Sequence, residues 1–250
     1  MAYRLPEGYE KANYVRGRFN EIAHKYDLFN DLITQGQHRM WKNTMVRQLG
    51  LQSGAVGLDL CCGTGDIAAR AWGRLGEAGN VIALDFSINM LRIARRRLSK
   101  PAFPTAAARR ILCGDAMRLP FADASLNFVT VGYGLRNVTD LTGSLKEIHR
   151  ILRPGGMLAS LDVGKVRSPL LRPLVNFYFF KVVPLIGRIL QPGQEMFNYL
   201  PESSVAYPEQ QALRKLMLEC GFEEVDVTEF ALGASVIHLA RKGGAESSAP

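Results

Sequence analysis

The chain has 250 residues, 47% of them hydrophobic, which suits one α/β domain with a sizeable buried core. Its start, Met1-Ala2-Tyr3-Arg4, lacks the apolar core of a signal peptide, and no run of eighteen uncharged apolar residues occurs, so a cytoplasmic protein that does not span a membrane is expected. The formal charge of +8 would suit an anionic partner, while cysteines at 61, 62, 113 and 220 and scattered histidines at 24, 38, 149 and 238 exclude disulfide or metal-ligand spacing.

Tyr14, Val15, Phe19, Ile22, Ala23 and Tyr26 recur at three- and four-residue spacing, which predicts helix from residue 9 onward. Asp27, Asn30 and Asp31 supply turn or cap chemistry, and a further helix covers 38–49. This N-terminal helical cap, 9–50, falls outside the sheet. Short apolar runs then predict strands over 56–60, 81–85, 110–113, 126–131 and 157–163, with helices over 67–75, 89–98 and 140–152 between them and Ser87 as a cap. Such alternation implies parallel strands, right-handed crossovers and helices on both faces of the sheet.

Arg92, Arg95, Arg96, Arg97, Lys100, Arg109 and Arg110 crowd into nineteen residues, across a surface connection expected to be mobile over 101–108. The cluster reads either as a solvated helix face or as a patch drawn to anionic lipid, at on the order of 1 kcal/mol per basic residue. With only Phe103 placed to stack on a base, nucleic acid is not an expected partner. The apolar segment 168–190 is interrupted by Arg172, Lys181, Pro184 and Arg188 and reads as too short and too punctuated to cross a bilayer. It suits equally a core helix pair or a lid over an apolar substrate that touches the membrane. A helix over 208–219 and two strands over 223–228 and 234–241 follow, adding antiparallel edges to the sheet. The chain therefore reads as one domain over 1–242 with a helical lid inserted at 168–201, and 243–250 as a disordered tail.

The stretch around which this pattern is organised is Val56-Gly57-Leu58-Asp59-Leu60-Cys61-Cys62-Gly63-Thr64-Gly65-Asp66, a strand, a glycine turn and a helix start. Glycines permit unusual dihedrals and close approach of a ligand, and the free N–H groups of the next helix favour a negative group. Cys61 and Cys62 read as small buried residues at the strand end. Gly63-x-Gly65-x-x-Ala68 with Asp85 twenty residues on also fits a dinucleotide site. Asp59 and Asp66 bracket the turn, however, and a carboxylate near an ammonium favours an amino-acid ligand, the methionine end of S-adenosylmethionine. Ligands of open α/β sheets sit at the carboxyl ends of the strands. The further candidates are Asp85 and Phe86 after the second strand, with Asp85 as acceptor for ribose hydroxyls, and Asp115, Ala116 and Met117 after the third. Asp115 would accept from an adenine amino group, Met90 or Met117 would cover the ring, and Gly132 opens the turn after the fourth strand.

With Leu152-Arg153-Pro154-Gly155-Gly156 before the fifth strand, the chain resembles the class I S-adenosylmethionine-dependent methyltransferases. Four stretches resemble one family among them, the ubiquinone/menaquinone C-methyltransferases: residues 23–31 (AHKYDLFND), 38–42 (HRMWK), 133–140 (YGLRNVTD) and 199–203 (YLPES) with Tyr207-Pro208. The resemblance covers about Val15 to Arg241. It implies a Rossmann-like sheet of seven strands with one antiparallel, and methylation of a ring carbon of a prenylated quinol. The form Asp-Leu-Cys-Cys-Gly is similar to naphthoquinol-type members, pointing to demethylmenaquinol or demethylphylloquinol; the alternatives are a benzoquinol, or O- or N-methylation of another small apolar metabolite. The family's cofactor positions fall on Thr64, Asp85 and the Asp115-Ala116 pair, with departures at Asp115, where many members have Asn, and at Gly132, where they have serine. Carbon methylation needs a deprotonated quinol, so Arg136 is expected to hold the quinolate oxygen and Asn137 to orient the ring, with Tyr26 and His38 as further catalytic candidates. The expected partners are the quinol, the surface of an anionic membrane at its inner face, and another copy of the chain.

Overall fold

Gly57 shows why the central strand has the sequence it has: a Cβ there would sit 2.3 Å from the Phe128 ring, so the glycine lets the neighbouring strand's phenyl group pack across it. That strand, β1 (Val56–Leu60), is buried on both faces, as the middle of a parallel sheet requires. The computed structural model describes residues 8–103, 110–191 and 196–244. Around β1 stand β2 (Asn80–Asp85), β3 (Ile111–Cys113), β4 (Leu126–Gly132), β5 (Leu152–Val163), β6 (Phe222–Phe230) and β7 (Ser235–Lys242), in the spatial order β3-β2-β1-β4-β5-β7-β6. Pairings β1–β2, β1–β4, β2–β3 and β4–β5 are parallel. Strand β7 runs antiparallel to both β5 and β6, so it is the one reversed strand. The last two strands thus extend the sheet beyond β5 as an antiparallel pair, as expected, with β7 beside β5 and β6 at the edge.

The helices are α1 (Gly8–Ile22), α2 (Tyr26–Thr34), α3 (Gln37–Gln48), α4 (Asp66–Leu75), α5 (Ile88–Leu98), α6 (Leu141–Ile151), α7 (Arg172–Phe177), α8 (Val183–Leu190), α9 (Met196–Ala206) and α10 (Gln210–Glu219). Ser87 caps α5 by accepting from the Met90 N–H, and Asp140 caps α6 by accepting from the Gly143 N–H. Helices α6 and α10 bury Leu145, Ile148, Leu213 and Met217 against Leu58, Leu60, Val129 and Val131 on one face of the sheet. On the other, α3, α4 and α5 bury Trp41, Met45, Ile67, Ala71 and Leu98 against Val81, Ala83, Phe128, Ala159 and Ile237. A third cluster joins Val15, Phe19, Ile22, Phe29, Met90, Val183, Tyr199 and Leu200, so the N-terminal helices and the α8–α9 region form a roof over the loop end of the sheet.

Residues 172–190 form one unbroken helical run, with a π-helical turn (Tyr178–Val182) between α7 and α8. At 19 residues it is long and apolar enough to cross a membrane by length and composition, which corrects the expectation that it is too short, and only 17% of it is buried, which removes the core-helix-pair reading. Of the basic cluster, Arg92, Arg95, Arg96, Lys100 and Arg110 are exposed, whereas Arg97 turns inward. Most of the 101–108 connection, Arg109 and the tail over 245–250 lie outside the described residues.

Asp59 ties three elements together. Its Oδ1 accepts from the Thr130 hydroxyl on β4 at 2.8 Å and its Oδ2 from the Ala68 N–H in α4 at 2.9 Å, with no accessible surface. Burial pushes its pKa up to about 7. The folded chain then holds a proton here that the unfolded chain has released, so this group's contribution to stability falls as pH rises from 3.8 towards 7. Asp59→Asn can keep both contacts, accepting from Ala68 and donating to Thr130. Its thermal midpoint minus that of the wild type is expected to rise between pH 4 and pH 7. A difference that stays flat across that interval would show that Asp59 does not titrate there.

Candidate active site

Gly63 and Gly65 both have positive φ, +53° and +75°. A Cβ on Gly65 would lie 3.0 Å from the Ala94 Cβ, which makes the close approach of α5 dependent on glycine, while the corresponding side of Gly63 is open space. The Gly63 N–H donates to Asp85 Oδ2 and the Ser87 N–H to Asp85 Oδ1, each at 2.8 Å. Burial pushes the Asp85 pKa up to about 6. The Phe86 backbone also bonds to this carboxylate, which still has acceptor capacity to spare.

Gly63, Asp85, Phe86, Met90 and Gly132 line one cleft at the carboxyl ends of the strands, together with Phe19, Tyr26, Cys61, Tyr133, Gly134 and Asn137. The open face of Gly63 stands beside the Asp85 carboxylate in this cleft, whose free volume is about 30 Å³.

Other expected cofactor residues stand elsewhere. Asp59 is committed to Thr130 and Ala68, as above. Asp66 faces Lys42 at 3.0 Å, Arg70 at 3.2 Å and Arg97 at 3.7 Å. Its pKa falls to about 2, since burial, which would raise it, is outweighed by these cations. Thr64 is buried, donating to Asp27 Oδ1 at 2.8 Å and accepting from Arg97 at 3.1 Å, and Arg97 also pairs with Asp27. Gly65 packs on α5. Asp115 is exposed and accepts from its own turn at Met117 N, Ala116 is in the core, and Met117 Sδ accepts from the Ser144 hydroxyl.

A second cavity of about 460 Å³ lies beside this cleft, under the helical run 172–190. Its walls are mostly apolar, from Ile22, Trp41, Val163, Leu174, Val175, Tyr178, Phe179 and Val183, with Tyr26, His38, Tyr133 and Arg136 among the polar groups. Tyr26 and Tyr133 belong to both spaces and form a common wall. Tyr133 holds a left-handed backbone at φ +57°, a conformation costing a non-glycine residue on the order of 1–3 kcal/mol. That backbone places its ring on the wall, with its hydroxyl 3.2 Å from Ser235 Oγ and the Arg136 guanidinium 5.5 Å from its centroid.

Arg136 is buried and donates from Nη1 to Asp162 Oδ1 at 2.6 Å. Burial would lower its pKa, but the Asp162 carboxylate more than offsets this, so the guanidinium stays charged. Its Nε has no hydrogen-bond partner. Burial, foremost, raises the Tyr26 pKa, leaving the phenol as a donor. His38 Nε2 lies 2.8 Å from Asp31 Oδ1, an acid that Arg39 also clamps at 2.6 Å and that sits at about 2. Burial lowers the His38 pKa and keeps the imidazole neutral, with Nδ1 unpartnered. Asn137 lines the cleft rather than the apolar cavity. Its amide accepts from the Tyr199 hydroxyl at 3.0 Å and donates to the Tyr133 carbonyl at 3.0 Å, so it fixes the turn.

Sequence reasoning missed Asp162, although the strand-end rule applied to β5 points to it; the acid hides in an apolar run, Leu158 to Val163. Phe19 was legible as helix periodicity but not as a cavity wall.

The sheet order, the glycine turn and the adjoining cavities define a Rossmann-like methyltransferase. In fold the chain is similar to a SAM-dependent methyltransferase of Thermotoga maritima, with a TM-score of 0.62 and 22% identity over 90% of this chain and 99% of that one. The protein belongs to the ubiE/COQ5 methyltransferase family, which it matches over residues 8–242. It is 45% identical to a demethylmenaquinone methyltransferase of Leptospira interrogans, over 96% of this chain and 97% of the relative. It is 35% identical to a ubiquinone/menaquinone biosynthesis C-methyltransferase of a Shewanella strain, over 97% and 96%.

Asp162→Ala leaves the Arg136 guanidinium buried without its carboxylate. The expected loss is about 3–5 kcal/mol of unfolding free energy, read by urea titration. A loss below about 1 kcal/mol would mean that the charge is solvated through the cavity.

Proposed function

We propose that the chain transfers a methyl group from S-adenosylmethionine to a ring carbon of a prenylated quinol, demethylmenaquinol in particular. The observation that carries this reading is the shared wall: a cleft with a ribose-type acceptor, Asp85, meets an apolar cavity holding a buried cation, Arg136, across Tyr26 and Tyr133. The names of the relatives, demethylmenaquinone and ubiquinone/menaquinone methyltransferases, support the choice of acceptor.

When bound, S-adenosylmethionine supplies an electrophilic methyl group on a sulfonium. Asp85 accepts from the ribose hydroxyls, and the backbone of Gly63 allows the ligand to lie close. Phe86 and Met90 offer apolar cover to the adenine. In the apolar cavity Arg136 holds the oxygen of the quinol as its charge develops, a preorganised contact that needs no rearrangement because Asp162 already fixes the guanidinium. Arg136 does not act as the base, since it remains charged. His38 is neutral and stands in the same wall, where it can accept the hydroxyl proton. The apolar lining excludes water, which strengthens the contact between Arg136 and the oxygen. Arg136→Ala is expected to lower kcat about 10²–10³-fold in transfer of labelled methyl to reduced demethylmenaquinone, with donor affinity retained. Comparison with a reduced benzoquinol reads ring preference, and an unchanged kcat in a folded variant removes Arg136 from the role.

The outer side of the 172–190 helix exposes Phe177, Leu185 and Ile189, and residues 168–191 hold Arg172, Lys181 and Arg188 but no acid. Exposed apolar groups among basic ones suit a helix lying in an anionic membrane surface, with the protein at its cytoplasmic face. The chain is expected to float with vesicles containing anionic lipid, and Phe177→Asp with Ile189→Asp to reduce the bound fraction severalfold. Equal flotation of wild type and double variant would place the contact elsewhere.

A further inference from the structure

The apolar cavity does not end at the ring-sized space around Arg136. A second cavity of about 430 Å³ adjoins it, and Val163, Val175, Phe179, Ser204 and Ala234 belong to both walls. Each space alone has the size of a small-ligand site, so together they exceed what a bare bicyclic ring needs. The added space continues the apolar surface through Val166, Phe180 and Val205 and reaches the exterior at Arg172, Asn176 and Glu209, all exposed.

This outer end is held in shape by the chain. Lys165 Nζ donates to the carbonyls of Ser204 and Val205 at the end of α9, and Arg172 Nε donates to the Val166 carbonyl at 3.2 Å. The segment leaving β5 is thus fastened to both α7 and α9, the two walls of the passage. By contrast, the first cavity's other rim carries Gln35 and Gln37, both exposed polar side chains.

We propose that this second cavity is the subsite for the prenyl tail, which leaves the ring pocket past Ala234 and Val175 and emerges between α7 and α9. The inference rests on the quinol reading above and adds the path of the tail and the residues that sense its length. Val205 and Asn176 touch only the second cavity, one from each wall.

The test measures kcat/KM of the full chain for a tail-less reduced quinol and for one carrying several isoprene units. In Val205→Trp and in Asn176→Trp, the long-tail to tail-less ratio of kcat/KM is expected to fall tenfold or more from its wild-type value. A ratio within twofold of wild type in both variants overturns the path. A second arm uses a long-tail quinol with a diazirine at the tail terminus and maps the labelled peptide. Label on Phe180 or Val205 supports the path, and label confined to Gln35, Gln37 or Leu232 overturns it. A wild-type chain that methylates neither quinol overturns the quinol reading itself, whereas methylation of both with an unmoved ratio overturns only the tail path.

Discussion

A guanidinium and a carboxylate 2.6 Å apart, both nearly sealed from water, are the constraint on which the site depends. Neither charge is tolerable alone in that position. Asp162 comes from the end of β5 and Arg136 from the turn after β4, so their pairing requires the parallel register of these strands, with Thr130 opposite Ala159 and Gly132 opposite Leu161. The register in turn rests on Gly57, Phe128 and the two layers of helices. Core packing and charge placement are therefore one problem here.

The pair also explains the local irregularity around it. Tyr133 adopts a left-handed backbone one residue ahead of Gly134, which opens the Leu135–Asn137 turn, and its N–H donates to the Leu161 carbonyl at 2.6 Å. That hydrogen bond carries the β4–β5 ladder one residue past the strand and stops the chain from wandering into the cleft. The ring is left standing between a polar space and an apolar one. A glycine would adopt that backbone at less cost but would leave the two spaces joined.

The alternation of strands and helices was legible because apolar runs of five to seven residues end in glycine or acidic turns. The roof was partly legible: Val15, Phe19 and Ile22 show helical spacing, but spacing says only that a face is buried, not that α1, α8 and α9 share it. The lining of the cleft was legible where glycine or a strand-end acid marks it, as at Gly63 and Asp85. What the sequence does not show is where an acid serves the fold. Asp59, Asp66 and Asp115 have the sequence dress of ligand residues and also hold the fold, since one staples β1 to α4, one pairs with Lys42 and Arg70, and one accepts from its own turn. Choosing between these roles needs the partners, and Lys42 and Thr130 are far away in the chain. The position of β7 was hidden for a related reason, since a hairpin's sequence does not say which of its strands faces the sheet.

The tie between Asp27, Arg97 and Thr64 joins the first helices of the chain to the glycine turn itself. Phe19 and Tyr26, on the same helices, wall the cleft. Any displacement of these helices from the cleft has to break that ion pair and the hydrogen bond to Thr64, so the position of the N-terminal cap and the shape of the glycine turn are mechanically one unit.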